Sequence, residues 1–233
     1  MVTSNKKNRG ILFRGYKAFI RIFKKKPKYV FLGEEFTNSS IIISNHESTK
    51  APLALELYIK QPIKFWGAHE MNEGFFKMYK YQTRVYYHEK KHWNLFLARM
   101  FCLLATPLTN FFYKGLRLIS TYQDTRFRKT LRESLDALKD GQNIVIFPEV
   151  SDKGYLPELE GLHNGFLLLC EYAYKNKIDT PIVVSYYQRS NNIYVFDKPI
   201  MYSSLVNEGL SRDQISDKLR LRCNELGKMS FKD

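Results

Sequence analysis

Apolar positions recur along this chain with two different periods. Short runs rich in β-branched and aromatic residues predict strands at Tyr29 to Leu32, Ile41 to Ser44, Pro62 to Trp66, Leu116 to Ser120, Asn143 to Phe147, Pro181 to Tyr187 and Ile193 to Phe196. Between them the spacing turns helical. Leu53, Ala54, Leu57 and Tyr58 share a face behind Pro52, which is tolerated in a first turn, and Phe127, Leu131, Leu135 and Leu138 share another that stops at Gly141. A further helix is predicted from Asn164 to Lys175. The last is opened by a capping box of Ser211 and Gln214, with Ile215, Leu219 and Leu226 on one face before Gly227. The aromatic and basic stretch from Met71 to Leu104 also reads as helical. Strands that alternate with helices predict an α/β fold with a largely parallel central sheet flanked by helices.

The first 28 residues have a different pattern. Leu12, Phe13, Tyr16, Phe19, Ile20, Ile22 and Phe23 fill one arc of a helical wheel, and Arg14, Lys17, Arg21, Lys24 and Lys25 lie mostly opposite. This divides the chain into a basic amphipathic helix within 1–28 and one α/β domain over 29–233, with 71–104 as an enlarged insert. Periodicity leaves two coverings for the apolar arc, a lipid surface or the domain itself. The run from Met100 to Tyr113 carries no charge, but it is too short to span a bilayer and contains Pro107, so it is either buried or dips into an interface.

Charge sharpens the first of these readings. The formal net charge is +14, and ten of the Lys and Arg residues fall between Lys6 and Lys28, where no acid appears before Glu34. A cationic helix with an aromatic face gains from apolar insertion and from anionic headgroups, which contribute about 1 kcal/mol per basic residue near the surface. Nucleic acid is the competing partner for a basic chain with 17 Phe and 16 Tyr, but no nucleic-acid motif accompanies them and none is expected to bind. Three scattered cysteines support neither a disulfide framework nor a zinc site. His69 with Glu70, and His88 with His92, lack metal-ligand spacing, so no metal is expected.

Two strand ends carry the candidate chemistry. Ile41-Ile42-Ile43-Ser44 delivers Asn45-His46-Glu47-Ser48, and Asn143-Ile144-Val145-Ile146 delivers Phe147-Pro148-Glu149. An imidazole at a strand end has the rigid mounting a general base needs, although a lone histidine there is more often a packing residue. His46 and Glu149 are expected at the ends of neighbouring strands on one rim.

In these residues the chain resembles the PlsC-like glycerolipid acyltransferases. Asn45-His46-x-Ser48 matches the family's N-H-x-S-x-x-D, Phe147-Pro148-Glu149-Val150-Ser151-Asp152 its F-P-E-G-T-R, and Thr180-Pro181-Ile182-Val183 its late V-P-I-V strand. The resemblance implies a single acyltransferase domain in which His46 is the general base. It places Asn45, Ser48, Phe147, Pro148, Glu149 and Ser151 at the substrate. It also implies an acyl-CoA or acyl-ACP donor, no bound cofactor, and a peripheral site on the cytoplasmic, inner face of a membrane whose lipids and anionic surface are the partners. Three positions depart from the pattern. The carboxylate that orients the histidine would fall at Ala51, and the arginines that grip an acceptor phosphate fall at Thr121 and Asp152. The expected reaction is therefore acyl transfer to a hydroxyl that carries no phosphate monoester, with a non-catalytic lipid- or acyl-binding protein as the alternative.

Overall fold

The computed structural model describes residues 10–36, 38–150, 154 and 156–231. An eight-stranded sheet runs through the molecule. Its strands are β1 (Lys28–Phe31), β2 (Ile41–Ser44), β3 (Ile63–Ala68), β4 (Ile119–Thr121), β5 (Asn143–Ile146), β6 (Pro181–Gln188), β7 (Ile193–Phe196) and β8 (Ile200–Met201). The order is β1-β7-β6-β2-β5-β3-β4, with β8 paired to β6. All pairings are parallel except β6 with β7 and β6 with β8, so the predicted α/β class and largely parallel sheet hold.

β2 lies at the centre, between β5 and β6, and every one of its residues is buried. Burial on both faces explains why Ile41-Ile42-Ile43 reads as a continuous apolar run instead of an alternation. Successive side chains still take opposite faces. Ile41 and Ile43 join a core with Leu135, Leu138, Phe166, Leu169, Leu219 and Leu226, while Ile42 joins a second core with Phe36, Ala51, Leu55, Phe65 and Phe196.

The first core is covered by α5 (Phe127–Lys139), α6 (Gly165–Lys175), α7 (Tyr202–Asn207) and α8 (Arg212–Lys228). The capping box that opens α8 is present in full, with the Ser211 hydroxyl accepting from the Gln214 N–H and the Gln214 side chain accepting from the Ser211 N–H. Gly227 does not stop this helix, which continues through Lys228.

The second face carries α2 (Lys50–Tyr58) and, beyond it, α1 (Ile11–Phe23), α3 (Phe75–Tyr81), a π-helical segment (Gln82–Lys90) and α4 (Leu95–Leu116). α4 continues beyond the stretch 71–104 to Leu116. Leu116 to Arg117 was expected to begin a strand, but Arg117 takes a left-handed conformation (φ 54°) that ends the helix, and β4 starts only at Ile119. The apolar run there contains both a helix tail and a strand, which a pattern cannot separate. Gly115 is needed for contact: a Cβ on it would come within 2.1 Å of the Phe13 ring, so the glycine lets α1 lie directly on α4.

α1 forms as predicted, and most of its large apolar residues are not covered by the domain. Phe13 and Lys17 are its buried residues. The Lys17 ammonium donates to the Glu56 carboxylate and, at 2.8 Å, to the Glu56 carbonyl, and Arg21 Nε donates to the Leu57 carbonyl at 2.9 Å. Two of the cations opposite the apolar arc therefore fasten α1 to α2, while Ile11, Leu12, Phe19, Ile22 and Phe23 stay exposed.

Candidate active site

The order of the sheet brings the two motif-bearing strand ends together. β2 and β5 pair in parallel, Ile43 opposite Ile146, so His46 and Glu149 leave adjacent strands at the same edge. This is the end of a parallel sheet at which ligand crevices form. The Glu149 carboxylate accepts from the main-chain N–H of His46 at 3.0 Å. Glu149 therefore holds the backbone at His46. Burial raises the Glu149 pKa, opposed by the N–H bonds from His46 and Leu156.

Asn45 is 2% exposed and acts as a clasp. Its side-chain oxygen accepts from the Tyr187 N–H at 2.7 Å and its amide donates to the Tyr187 carbonyl at 3.2 Å, extending the ladder between β2 and β6. Glu47 and Ser48 then take left-handed backbone conformations, φ 41° and 58°. Such non-glycine conformations cost on the order of 1–3 kcal/mol each and persist where the surroundings over-determine them. Here the surroundings are the Glu149 clamp and a 2.7 Å hydrogen bond between the Ser48 and Tyr86 hydroxyls.

Two cavities meet at the His46 ring. The first, about 610 Å³, is lined by His46, Trp66, Gly67, Thr121, Tyr122, Asp124, Phe127, Phe147, Pro148 and His163 among others. The second, about 330 Å³, runs between α2, α1, the π-helical segment and α4, with Leu53, Phe65, Phe112, Tyr113 and Leu116 in its walls and Glu56 and Gln82 as polar members. His46 and Phe147 line both, their rings 5.0 Å apart.

Burial lowers the His46 pKa from 6.5 to about 4; a backbone hydrogen bond at Ser48 opposes the shift, and Lys90 and Lys91 add to it. The ring is neutral at physiological pH and keeps a lone pair for a proton, at reduced basicity. Ala51 is fully buried in the apolar cluster of Phe36, Ile42 and Leu55.

No lysine or arginine lines the larger cavity among the described residues. Thr121 donates to the Gly67 carbonyl at 3.0 Å, and Asp124 binds Arg126, whose guanidinium lies over the Tyr122 ring. Of the expected site residues, His46, Phe147 and Pro148 line the cavities, whereas Asn45, Ser48 and Glu149 hold the turn that carries His46. Ser151 and Asp152 lie outside the described residues.

The sequence reading missed His163 and Tyr86. His163 reaches the cavity because its N–H donates to the Pro148 carbonyl at 2.7 Å and Val150 donates to Gly161 at 3.1 Å, so two segments zip together there. Its place just ahead of a helix start was the only available signal. Among the described residues no group of three His, Cys, Asp or Glu could hold a metal ion.

No protein-family model matches this chain, and no curated protein matches it. Among solved structures, the 1-acyl-sn-glycerophosphate (LPA) acyltransferase PlsC from Thermotoga maritima is similar. The TM-score is 0.53 at 15% sequence identity, over 97% of this chain and 84% of that one. At that identity the likeness is one of architecture: this chain has a PlsC-like α/β fold.

Proposed function

We propose that this protein is a membrane-associated acyltransferase that moves a fatty acyl group from a thioester donor, acyl-CoA or acyl-ACP, to a lipid-like hydroxyl acceptor without a phosphate monoester. The observation that carries this reading is the convergence of an apolar cavity and a wider, polar-rimmed cavity on one neutral imidazole. Acyl transfer needs a slot for the chain, room for an acceptor and a base between them.

In this mechanism the acyl chain occupies the cavity between α2 and α4 and the thioester carbonyl lies beside His46. The ring takes the acceptor hydroxyl's proton as oxygen attacks the carbonyl, and the imidazolium returns that proton to the departing thiolate. Glu149, Asn45 and the Ser48–Tyr86 pair keep the ring in place without joining the proton transfer. The absence of lysine and arginine from the described lining supports a phosphate-free acceptor, since phosphate recognition uses charge-assisted contacts. α1 and the cations around it support a place on the anionic, cytoplasmic face of a membrane.

The buried apolar setting of Ala51 favours a second reading, a non-catalytic protein that keeps the lipid cavity. Thiol release from acyl-CoA with monoacylglycerol, a glycolipid, lysophosphatidic acid and glycerol phosphate tests both. Turnover of the phosphate-free acceptors supports acyl transfer as proposed, and a preference for the phosphate acceptors contradicts it. No turnover by the parent or by Ala51→Asp, with acyl-chain binding retained, establishes the second reading.

A further inference from the structure

α4 is turned inside out. Its buried positions are Ala98, Cys102, Thr106, Asn110 and Leu116, and Thr106 donates to the Gln82 side-chain oxygen at 2.9 Å while the Gln82 amide donates to Thr109 at 3.0 Å. Its exposed face carries Phe96, Leu97, Met100, Leu104, Leu108 and Phe111, with Leu104 80% exposed. A helix bordering water does the reverse, burying its large apolar stripe and showing its polar one. α1 repeats the inversion beside it, fastening Lys17 and Arg21 to α2 and exposing Ile11, Leu12, Phe19, Ile22 and Phe23.

We infer that the apolar belt formed by α4 and α1 is embedded in one leaflet of a lipid bilayer, with α4 lying in the plane of the membrane. This assigns the membrane contact to the insert helix as well as to the N-terminal one, and it holds whatever chemistry His46 performs.

By length and composition Leu95–Leu116 could cross a membrane. Its inner stripe instead packs on α3, the π-helical segment and α1, so lipid can reach only one side. The exposed cations Arg99 and Lys114 bracket the charge-free run Met100 to Tyr113, about 21 Å of helix against the roughly 30 Å of a bilayer core. Cations at both ends of a short run place both ends at headgroup level. Exposed Arg14, Lys24, Lys25 and Lys26 put further positive charge along α1, which selects an anionic surface over a neutral one. The nine residues before Gly10 are polar apart from Met1 and Val2, and supply no apolar face to cover the belt.

The test uses the full chain with phosphatidylcholine vesicles, with and without phosphatidylglycerol. An environment-sensitive probe is attached at Leu104→Cys or, as a control, at Asp136→Cys on α5; the three native cysteines are buried. On anionic vesicles the Leu104 probe should shift to the blue and be quenched by a lipid-borne quencher, and the Asp136 probe should do neither. Leu104→Glu/Leu108→Glu, both at exposed positions, should keep the parental melting temperature and lose vesicle sedimentation by at least about tenfold. A Leu104 probe that stays in water overturns the inference, as does a double variant that sediments like the parent. A double variant that changes only from dimer to monomer in the centrifuge also overturns it, because a second copy would then cover the belt.

Discussion

α4 and α5 have the same helical period and opposite orientations. α5 buries Leu135, Ala137 and Leu138 against the sheet and exposes Arg128, Lys129, Arg132 and Asp136, whereas α4 buries small and polar side chains and exposes its large apolar ones. Burial of large apolar surface is the main favourable contribution to folding, and the face of the sheet under α5, α6 and α8 holds the larger of the two apolar cores. The opposite face carries the proposed binding cavity, which is walled by α1, α2 and α4 and ends at His46. Hydrophobic periodicity thus identifies a helix, but its neighbours decide which way the apolar stripe turns.

Stability measurements sharpen this division. The largest effect is expected where the binding face is held by charge. Lys17→Met leaves the Glu56 carboxylate, itself 1% exposed, without its ammonium, and should cost about 3–5 kcal/mol in urea denaturation. Lys17→Met/Glu56→Gln should recover most of that loss, and failure to recover it means the two residues act separately. Next, Leu138→Ala in the α5 core should cost about 2–5 kcal/mol, whereas Leu104→Ala on α4 should change stability by no more than about 0.5 kcal/mol. Equal costs at the two leucines would remove the contrast between the faces.

A smaller effect is expected at the join between them. Glu149→Ala removes the acceptor for the His46 N–H and should destabilise by about 1–3 kcal/mol, while Glu149→Gln, whose amide oxygen still accepts, should retain most of the stability and of the activity. If Gln is no better than Ala, the carboxylate's charge matters more than its position.

The pH dependence follows from the lowered pKa of His46. The unfolded chain binds a proton near pH 6.5 and the folded ring only near 4. The contribution of neutral His46 is therefore complete above 6.5 and is lost as pH falls towards 4. His46→Gln should flatten that part of the stability profile, and an unchanged profile would show that the ring is protonated more easily than its burial implies. In activity, the acid limb should lie near pH 4 for the parent.

Much of this architecture is legible in the sequence. The β-branched runs mark β2, β5, β6 and β7, and the Ser211–Gln214 box marks the start of α8, because each signal is local. Parallel pairing of β2 with β5 then brings His46 and Glu149 together. What Glu149 touches was not legible: a carboxylate after Phe147-Pro148 can reach a substrate, a ring or a main-chain N–H, and only the register decides. The partner of Lys17 on α1 was not legible for a similar reason. A helical wheel puts Lys17 opposite Phe19, but it has no term for the buried Glu56 that draws Lys17 inward. His163 and Tyr86 enter the site through contacts to Pro148 and Ser48, 15 and 38 residues away in sequence, and no spacing rule reports those.

The most direct test of the central claim compares thiol release by the parent and by His46→Ala, using acyl-CoA and a phosphate-free hydroxyl lipid on anionic vesicles. Removing a general base should lower kcat/KM by about 10²–10⁴-fold while vesicle binding and melting temperature stay close to the parent's. Equal rates from the two proteins would contradict the assignment of His46 as the base.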